Sequence, residues 1–247
     1  MYPAVELGML MLPSFRAQDC AIAIAAADLN PAMINPDILR YSGVIPSDWE
    51  IAQKPVYTPQ VVQITFKNGI NLIAEGKQIA LAAALDLDED TLSKTSSIAQ
   101  QYVRAFPNLK YQGVTFNIRG YLPTDYPPGR YICDTWLASG PWQDDCARAA
   151  LNFIYKSERA PLQLAVTEAM MKTKEEKMIS IVLFNGRYGY AAKGKTTTEK
   201  CQHLSSQFLH LQNDVEHYIN IVNQKFVKPA VTAQAAITPQ PVLSAVS

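Results

Sequence analysis

The sequence predicts an α+β fold built from two tandem β-α-β-β-β-α units with antiparallel sheets and long flanking helices. Three observations carry that expectation. Short apolar runs of period two are separated by Asn-Gly and Pro-rich punctuation, as in antiparallel sheets. Two longer stretches follow helical 3-4 spacing. A short pattern recurs: Leu29-Asn30-Pro31, Pro36, Ser42-Gly43, Pro46 and Trp49, then Leu122-Pro123, Pro127-Pro128, Ser139-Gly140, Pro141 and Trp142. Matched positions drift apart by about twenty residues, placed between Trp142 and Met178. The expected division is 1–19 as an irregular lead-in, 20–109 and 110–228 as the two units, and 229–247 as a disordered tail rich in Pro and Ala.

In the first unit, Cys20 to Ala27 alternates small and branched residues, a strand with Ile22 and Ile24 on one face. Asn35-Pro36-Asp37 opens a short helix: Asn35 caps its free amides, Pro36 loses nothing by lacking N–H, and Asp37 meets the positive dipole end. Gly43 is its expected stop, and Trp49 is expected to pack against it. Val61 to Phe66, Ile70 to Ala74 and Gln78 to Leu81 form a meander. Its first turn is Asn68-Gly69, where a two-residue turn needs positive φ at both positions. The acids Asp86, Asp88, Glu89 and Asp90 read as the entry of a helix whose face is Leu92, Thr95, Ala99, Tyr102 and Phe106.

In the second unit, Tyr111 to Ile118 reads as a strand, Leu122 to Gly129 as a proline-rich loop, and Arg130 to Ala138 as a helix stopped at Ser139-Gly140. Leu151 to Tyr155 fits a strand or a helix end. Leu162 to Met171 and Met178 to Phe184 are strands joined by the charged turn 172–177, and Asn185-Gly186 reads as another tight turn. From Thr198 to Phe226 the apolar series Cys201, Leu204, Phe208, Leu211, Val215, Tyr218 and Val222 predicts one helix of roughly 40 Å.

Composition narrows function more by exclusion than by indication. The 247 residues carry 22 Lys+Arg against 22 Asp+Glu, so there is no basic excess to hold phosphate backbones and no nucleic-acid partner is expected. The four cysteines form no C-x-x-C pair and are expected reduced, in a cytoplasmic protein. The first residues lack the cationic region of a signal peptide, and no apolar run is long enough to span a bilayer. No phosphate-loop, dinucleotide, zincin or nucleophile-elbow motif occurs.

Each remaining candidate has an ordinary reading. His203, His210 and His217 are seven apart, roughly 10 Å along one helix, too far for one metal, and read as a solvated stripe. The acids at 86–90 lack the glycine and ligand spacing of a calcium loop and read as helix capping. Asp37, Asp48, Asp144 and Asp145 have no evident carboxylate partner. Arg40-Tyr41, Arg119, Arg130-Tyr131 and Arg187-Tyr188 suit an interface or ordinary packing. Trp49, Trp136 and Trp142 are expected as core anchors.

No catalytic, cofactor-binding or metal-binding residue is therefore assigned. The expected function is a non-catalytic protein-interaction or assembly module. Its contact would run through the long helix or a sheet edge, with a protein partner or a second copy. The alternative is a small-molecule-binding protein or enzyme with its site in the cleft between halves.

Overall fold

A computed structural model describes residues 14–85, 90–127, 129–173 and 175–227. Helices and strands are mixed, and the strands form one antiparallel sheet of nine, not two sheets. The strands are β1 (Arg16–Ala26), β2 (Val56–Tyr57), β3 (Val61–Thr65), β4 (Asn71–Glu75), β5 (Gln78–Ala84), β6 (Tyr111–Thr124), β7 (Ala150–Tyr155), β8 (Leu162–Lys172) and β9 (Met178–Ala191). Their order across the sheet is β2-β3-β4-β5-β1-β6-β9-β8-β7. The helices are α1 (Pro36–Tyr41), α2 (Thr91–Ala105), α3 (Tyr131–Trp136), α4 (Thr197–Phe208) and α5 (Leu211–Val222), followed by a π-helical turn, Asn223–Val227.

Alternation along the strands gives the sheet two unlike faces. Ile22, Ile24, Leu72, Leu81, Phe116, Leu164, Phe184 and Tyr188 are buried on one face, in one core with residues from every helix. On the other face Ala21, Ala80, Ala82, Thr115, Asn117, Arg187 and Gly189 are at least partly exposed. A Cβ placed on Gly189 would meet nothing within 4 Å. Among the described residues the sheet is thus covered by helices on one side and open on the other, an arrangement antiparallel sheets tolerate.

Several local readings hold. Asn35 Oδ1 accepts from Ile38 N at 2.8 Å, and Gly43 closes α1 with φ +72°. Trp49 packs edge-on against Phe66, centroids 5.1 Å apart. The meander is β3-β4-β5. Its first turn uses positive φ at Gly69 alone, with Gly69 N bonded to Phe66 O and Phe66 N to Ile70 O, so it is a three-residue turn and not the two-residue one expected. The segment at 151–155, left open between strand and helix, is β7.

Other expectations are corrected. The lead-in ends early, because β1 already begins at Arg16, where Arg16 and Ala17 pair with Tyr121 and Gly120. The loop expected from Leu122 begins later, since β6 runs to Thr124. Ser139-Gly140 is no left-handed stop, because Gly140 is extended, at φ −175°. Asn185-Gly186 makes no turn; β9 runs straight through it, with Gly186 opposite both Ile118 and Leu164. The tail 229–247, most of the lead-in, and Asp86, Asp88 and Glu89 lie outside the described residues.

The long C-terminal helix is two helices, each of 12 residues. Two side chains from elsewhere bond carbonyls at the joint. Ser96 Oγ donates to Phe208 O at 2.7 Å, and Arg159 Nη1 donates to His210 O at 3.3 Å. The second of these carbonyls also keeps its helical bond from Asp214 N, at 3.2 Å. His210 leaves the helical region (φ −108°, ψ 8°), and Leu209 is 70% exposed. The apolar seam is real but internal: Leu204, Phe208, Leu211 and Val215 are all buried. Among the described residues no helix is long and apolar enough to cross a membrane.

Candidate interaction surface on the open face

The junction where a cleft was expected is filled by the antiparallel β1–β6 ladder. The concavity lies instead on the open face of the second half. It is a shallow groove of about 450 Å³ over β6, β9, β8 and β7. Two rungs of the sheet build it. One runs Asn117, Arg187, Gln163, Ile154 from β6 to β7, and the next runs Arg119, Asn185, Ala165, Asn152. These positions share a face because strand residues alternate and pairing keeps facing positions in register.

The groove is lined mostly by apolar surface, with amides and two arginines set in it and no carboxylate among the described residues that line it. Arg119 is neutralised: its Nε and Nη2 reach Asp19 on β1 at 2.9 and 2.6 Å. That partner raises the Arg119 pKa. Arg187 has no ion pair among the described residues and is exposed. The floor ends at β7, whose outer edge has no strand partner among the described residues. Ile154 stands there 74% exposed, unusual for so large an apolar side chain.

Two further polar clusters sit on the helix-covered side. Asp214 of α5 is buried, and its Oδ2 accepts from Tyr190 at 2.6 Å and from Arg159 Nη1 at 3.4 Å. Burial raises its pKa, while Tyr190, Arg159, His210 and His217 pull the other way. Arg159 also holds Gln207 and lies over the Tyr190 ring, so one side chain from the β7–β8 loop clamps the α4–α5 joint. Burial and the neighbouring carboxylate push the Tyr190 hydroxyl up as well.

The second cluster anchors α3. Glu168 of β8 is buried and accepts from Gly129 N at 2.8 Å and Ile132 N at 3.0 Å. Arg148 donates to its backbone carbonyl. Gly129, at φ +88°, is pressed so close to Ala147 that a Cβ would lie 2.5 Å from the Ala147 oxygen. The chain between α3 and β7 is thereby folded back onto the helix, which sets Cys133 Sγ 3.7 Å from Cys146 Sγ.

The singled-out residues are dispersed. His217 Nδ1 lies 2.6 Å from the Tyr188 hydroxyl, so it is tied to the sheet. His203 has a buried Nδ1, and burial lowers its pKa. With the helix broken at His210, no continuous histidine stripe exists. Asp90 stands at the N-cap of α2. Arg40 bonds to Trp49 O and Arg130 to Asp134. Trp136 packs against Phe226 at 5.2 Å, but Trp142 is 43% exposed and is no core anchor. Among the described residues no group of three or more His, Cys, Asp and Glu could hold a metal.

The sequence singled out Arg119 and Arg187, placed Asn185 in a turn, and gave no sign of Asn152 or Gln163 by themselves. The available signal was their alternation with apolar neighbours, since Gln163-Leu164-Ala165 and Asn152-Phe153-Ile154 put a polar residue on one face. No protein-family model matches the chain, and no curated protein is significantly similar to it in sequence.

Proposed function

We propose that the chain is a non-catalytic protein-interaction module. Its partner is an extended polypeptide segment that pairs with the free edge of β7 and lays an acidic side chain towards Arg187. The carrying observation is the pairing of an edge that is open among the described residues with a groove whose one charge without an ion pair among them is positive. Strand addition suits such an edge: main-chain bonds supply affinity and the flanking groove selects side chains. An unprotected edge is otherwise a liability for aggregation.

An internal duplication supports this reading, and we infer one. The sheet order β3-β4-β5-β1 is matched by β7-β8-β9-β6 about the β1–β6 pair. In each half the strand at the centre comes first in sequence, and helices follow the last strand. The two Ser-Gly pairs of the recurring pattern are not equivalent and lend it nothing. In this frame β7 corresponds to β3. The edge of β3 is occupied by β2, through Val56–Gln63 and Tyr57–Val62, whereas that of β7 is vacant among the described residues. The first half supplies its own edge strand; the second leaves the equivalent place to a partner. Superposing residues 111–222 on 16–105 should bring Phe116 onto the place of Ile22; a mismatch by one residue would refute the duplication.

The cytoplasmic location belongs to this reading and is supported by four free thiols. The test is selection of extended peptides against the immobilised chain, followed by amide chemical-shift mapping. Acidic peptides should be enriched and should shift residues 150–155, 163–165 and 185–187. Arg187→Glu should weaken them by about 1.5–3 kcal/mol, roughly ten- to a hundredfold. Peptides that bind elsewhere, or whose binding ignores Arg187→Glu, would refute the site. Self-association through β7, seen by sedimentation and abolished by Ile154→Lys, would replace the foreign segment with a second copy.

A further inference from the structure

We infer that Cys133 and Cys146 are a redox dithiol that closes into a disulfide by exchange with a low-molecular-weight disulfide such as oxidised glutathione. Three observations converge on the pair. The two sulfurs are in contact, 3.7 Å apart, across a fold-back of the chain and not along one element. The approach is held from several sides. Arg130 Nη1 reaches Cys146 O at 3.4 Å, and Gln143 Nε2 reaches Cys133 O at 3.4 Å. Gly129 admits the Ala147 carbonyl where any side chain would exclude it. Third, the two thiols differ in access: Cys133 is fully buried, and Cys146 is partly exposed, its Sγ 3.5 Å from Arg148 O. Cys20 and Cys201 are buried in the core, each without a neighbouring thiol among the described residues.

That difference in access sets the order of chemistry. Cys146 gives its proton to solvent, and its thiolate attacks one sulfur of the glutathione disulfide. The glutathione S–S bond breaks, a mixed disulfide forms at Cys146, and the first glutathione leaves as a thiolate that takes up a proton. Cys133 then loses its proton and attacks Cys146 Sγ. The bond from Cys146 to glutathione breaks as the Cys133–Cys146 bond forms, and the second glutathione leaves. Two protein thiols are oxidised by two electrons, and one glutathione disulfide is reduced to two thiols. Burial pushes the Cys133 thiol up, which suits a resolving rather than an attacking role. The product ties α3 to the segment that leads into β7.

The test uses the full chain equilibrated with graded mixtures of reduced and oxidised glutathione, then quenched, unfolded and alkylated. Cleavage after Arg130 and Arg148 leaves both cysteines on one peptide, Tyr131 to Arg148. Under oxidising mixtures that peptide should lose two hydrogens and resist alkylation. A second cut after Trp136 should give two fragments joined until reduced. Cys20 and Cys201 should remain fully alkylatable. Cys133→Ser should accumulate glutathione on Cys146, and Cys146→Ser should stay unmodified over the same time. The proposal is overturned if Tyr131–Arg148 takes two alkyl groups across the whole series, or if glutathione persists on wild-type Cys146. Linkage of either cysteine to Cys20 or Cys201 overturns it too. Faster modification of Cys133 than of Cys146 overturns the assigned order. Should either variant fold poorly, the wild-type peptide alone decides the linkage.

Discussion

Substituting Gly186 separates two physical reasons for a glycine. In a turn it would supply positive φ, but here it lies inside β9 and is not among the positive-φ glycines. Its role is space. A Cβ at this position would lie 2.5 Å from Tyr218 Cδ2, 2.8 Å from Cε2 and 3.2 Å from Leu162 Cδ1. The Tyr218 ring is fully buried and its hydroxyl donates to Phe184 O at 2.8 Å, so it has nowhere to retreat. Overpacking of this kind costs about 1–3 kcal/mol. If the ring shifts enough to break its hydrogen bond, about 1 kcal/mol is added. Gly186→Ala should therefore destabilise by about 2–4 kcal/mol. Gly189, three residues on in the same strand, faces open space, and Gly189→Ala should change stability by less than about 0.5 kcal/mol. Urea unfolding of both variants at matched m-values measures the contrast. Adding Tyr218→Leu opens room for the methyl group, so the double variant should be more stable than the sum of the singles by at least about 1 kcal/mol. Equal effects of the two Gly→Ala changes, or strict additivity with Tyr218→Leu, would refute the reasoning.

Burial raises the Asp214 pKa, so the folded chain holds that proton more tightly than the unfolded one. Its contribution is full below the unfolded value of 3.8 and is lost as pH rises through the raised folded value. Unfolding free energies of the wild type and Asp214→Asn should therefore differ by an amount that falls as pH is raised from about 3.5, since the remaining groups largely cancel; a pH-independent difference would contradict it. Glu168→Gln keeps one acceptor but turns an amide towards Gly129 N or Ile132 N, and should cost about 2 kcal/mol in urea unfolding. Closing the Cys133–Cys146 loop should stabilise the chain by up to about 3 kcal/mol, read as a higher urea midpoint that the reduced chain and Cys133→Ser both lack.

Local chemistry was legible and spatial chemistry was not. Asn35, Pro36 and Gly43 marked α1 because capping and left-handed geometry are decided within a few residues. Asn185-Gly186 misled for a tertiary reason: the space it vacates is filled by Tyr218, 32 positions later in numbering than Gly186. The apolar seam of α4 and α5 carried through their joint because both helices bury the same side. The break lies where Ser96 and Arg159, far away in the chain, bond the carbonyls of Phe208 and His210. The groove was half legible. Arg119 and Arg187 stood out, but the pairing of one with Asp19, and the lack of such a partner for the other among the described residues, follow from register with β1 and β8. The thiol pair was hidden because Cys133 and Cys146 meet through a fold-back held by the Gly129–Ala147 contact and by Arg130 and Gln143.

Placing the first strand at the middle of the sheet has a consequence for assembly. β1 pairs with β5 on one side and with β6 on the other. During synthesis, the partner on the β5 side emerges well before residues 111–124. Until then the nascent first half holds β1 as a bare edge, rich in Ile and Ala and ready to template any strand it meets. The next strand made is β6, which covers it along nearly its whole length. The interval between the two pairings is the window in which a slowed ribosome would leave the chain most open to self-association.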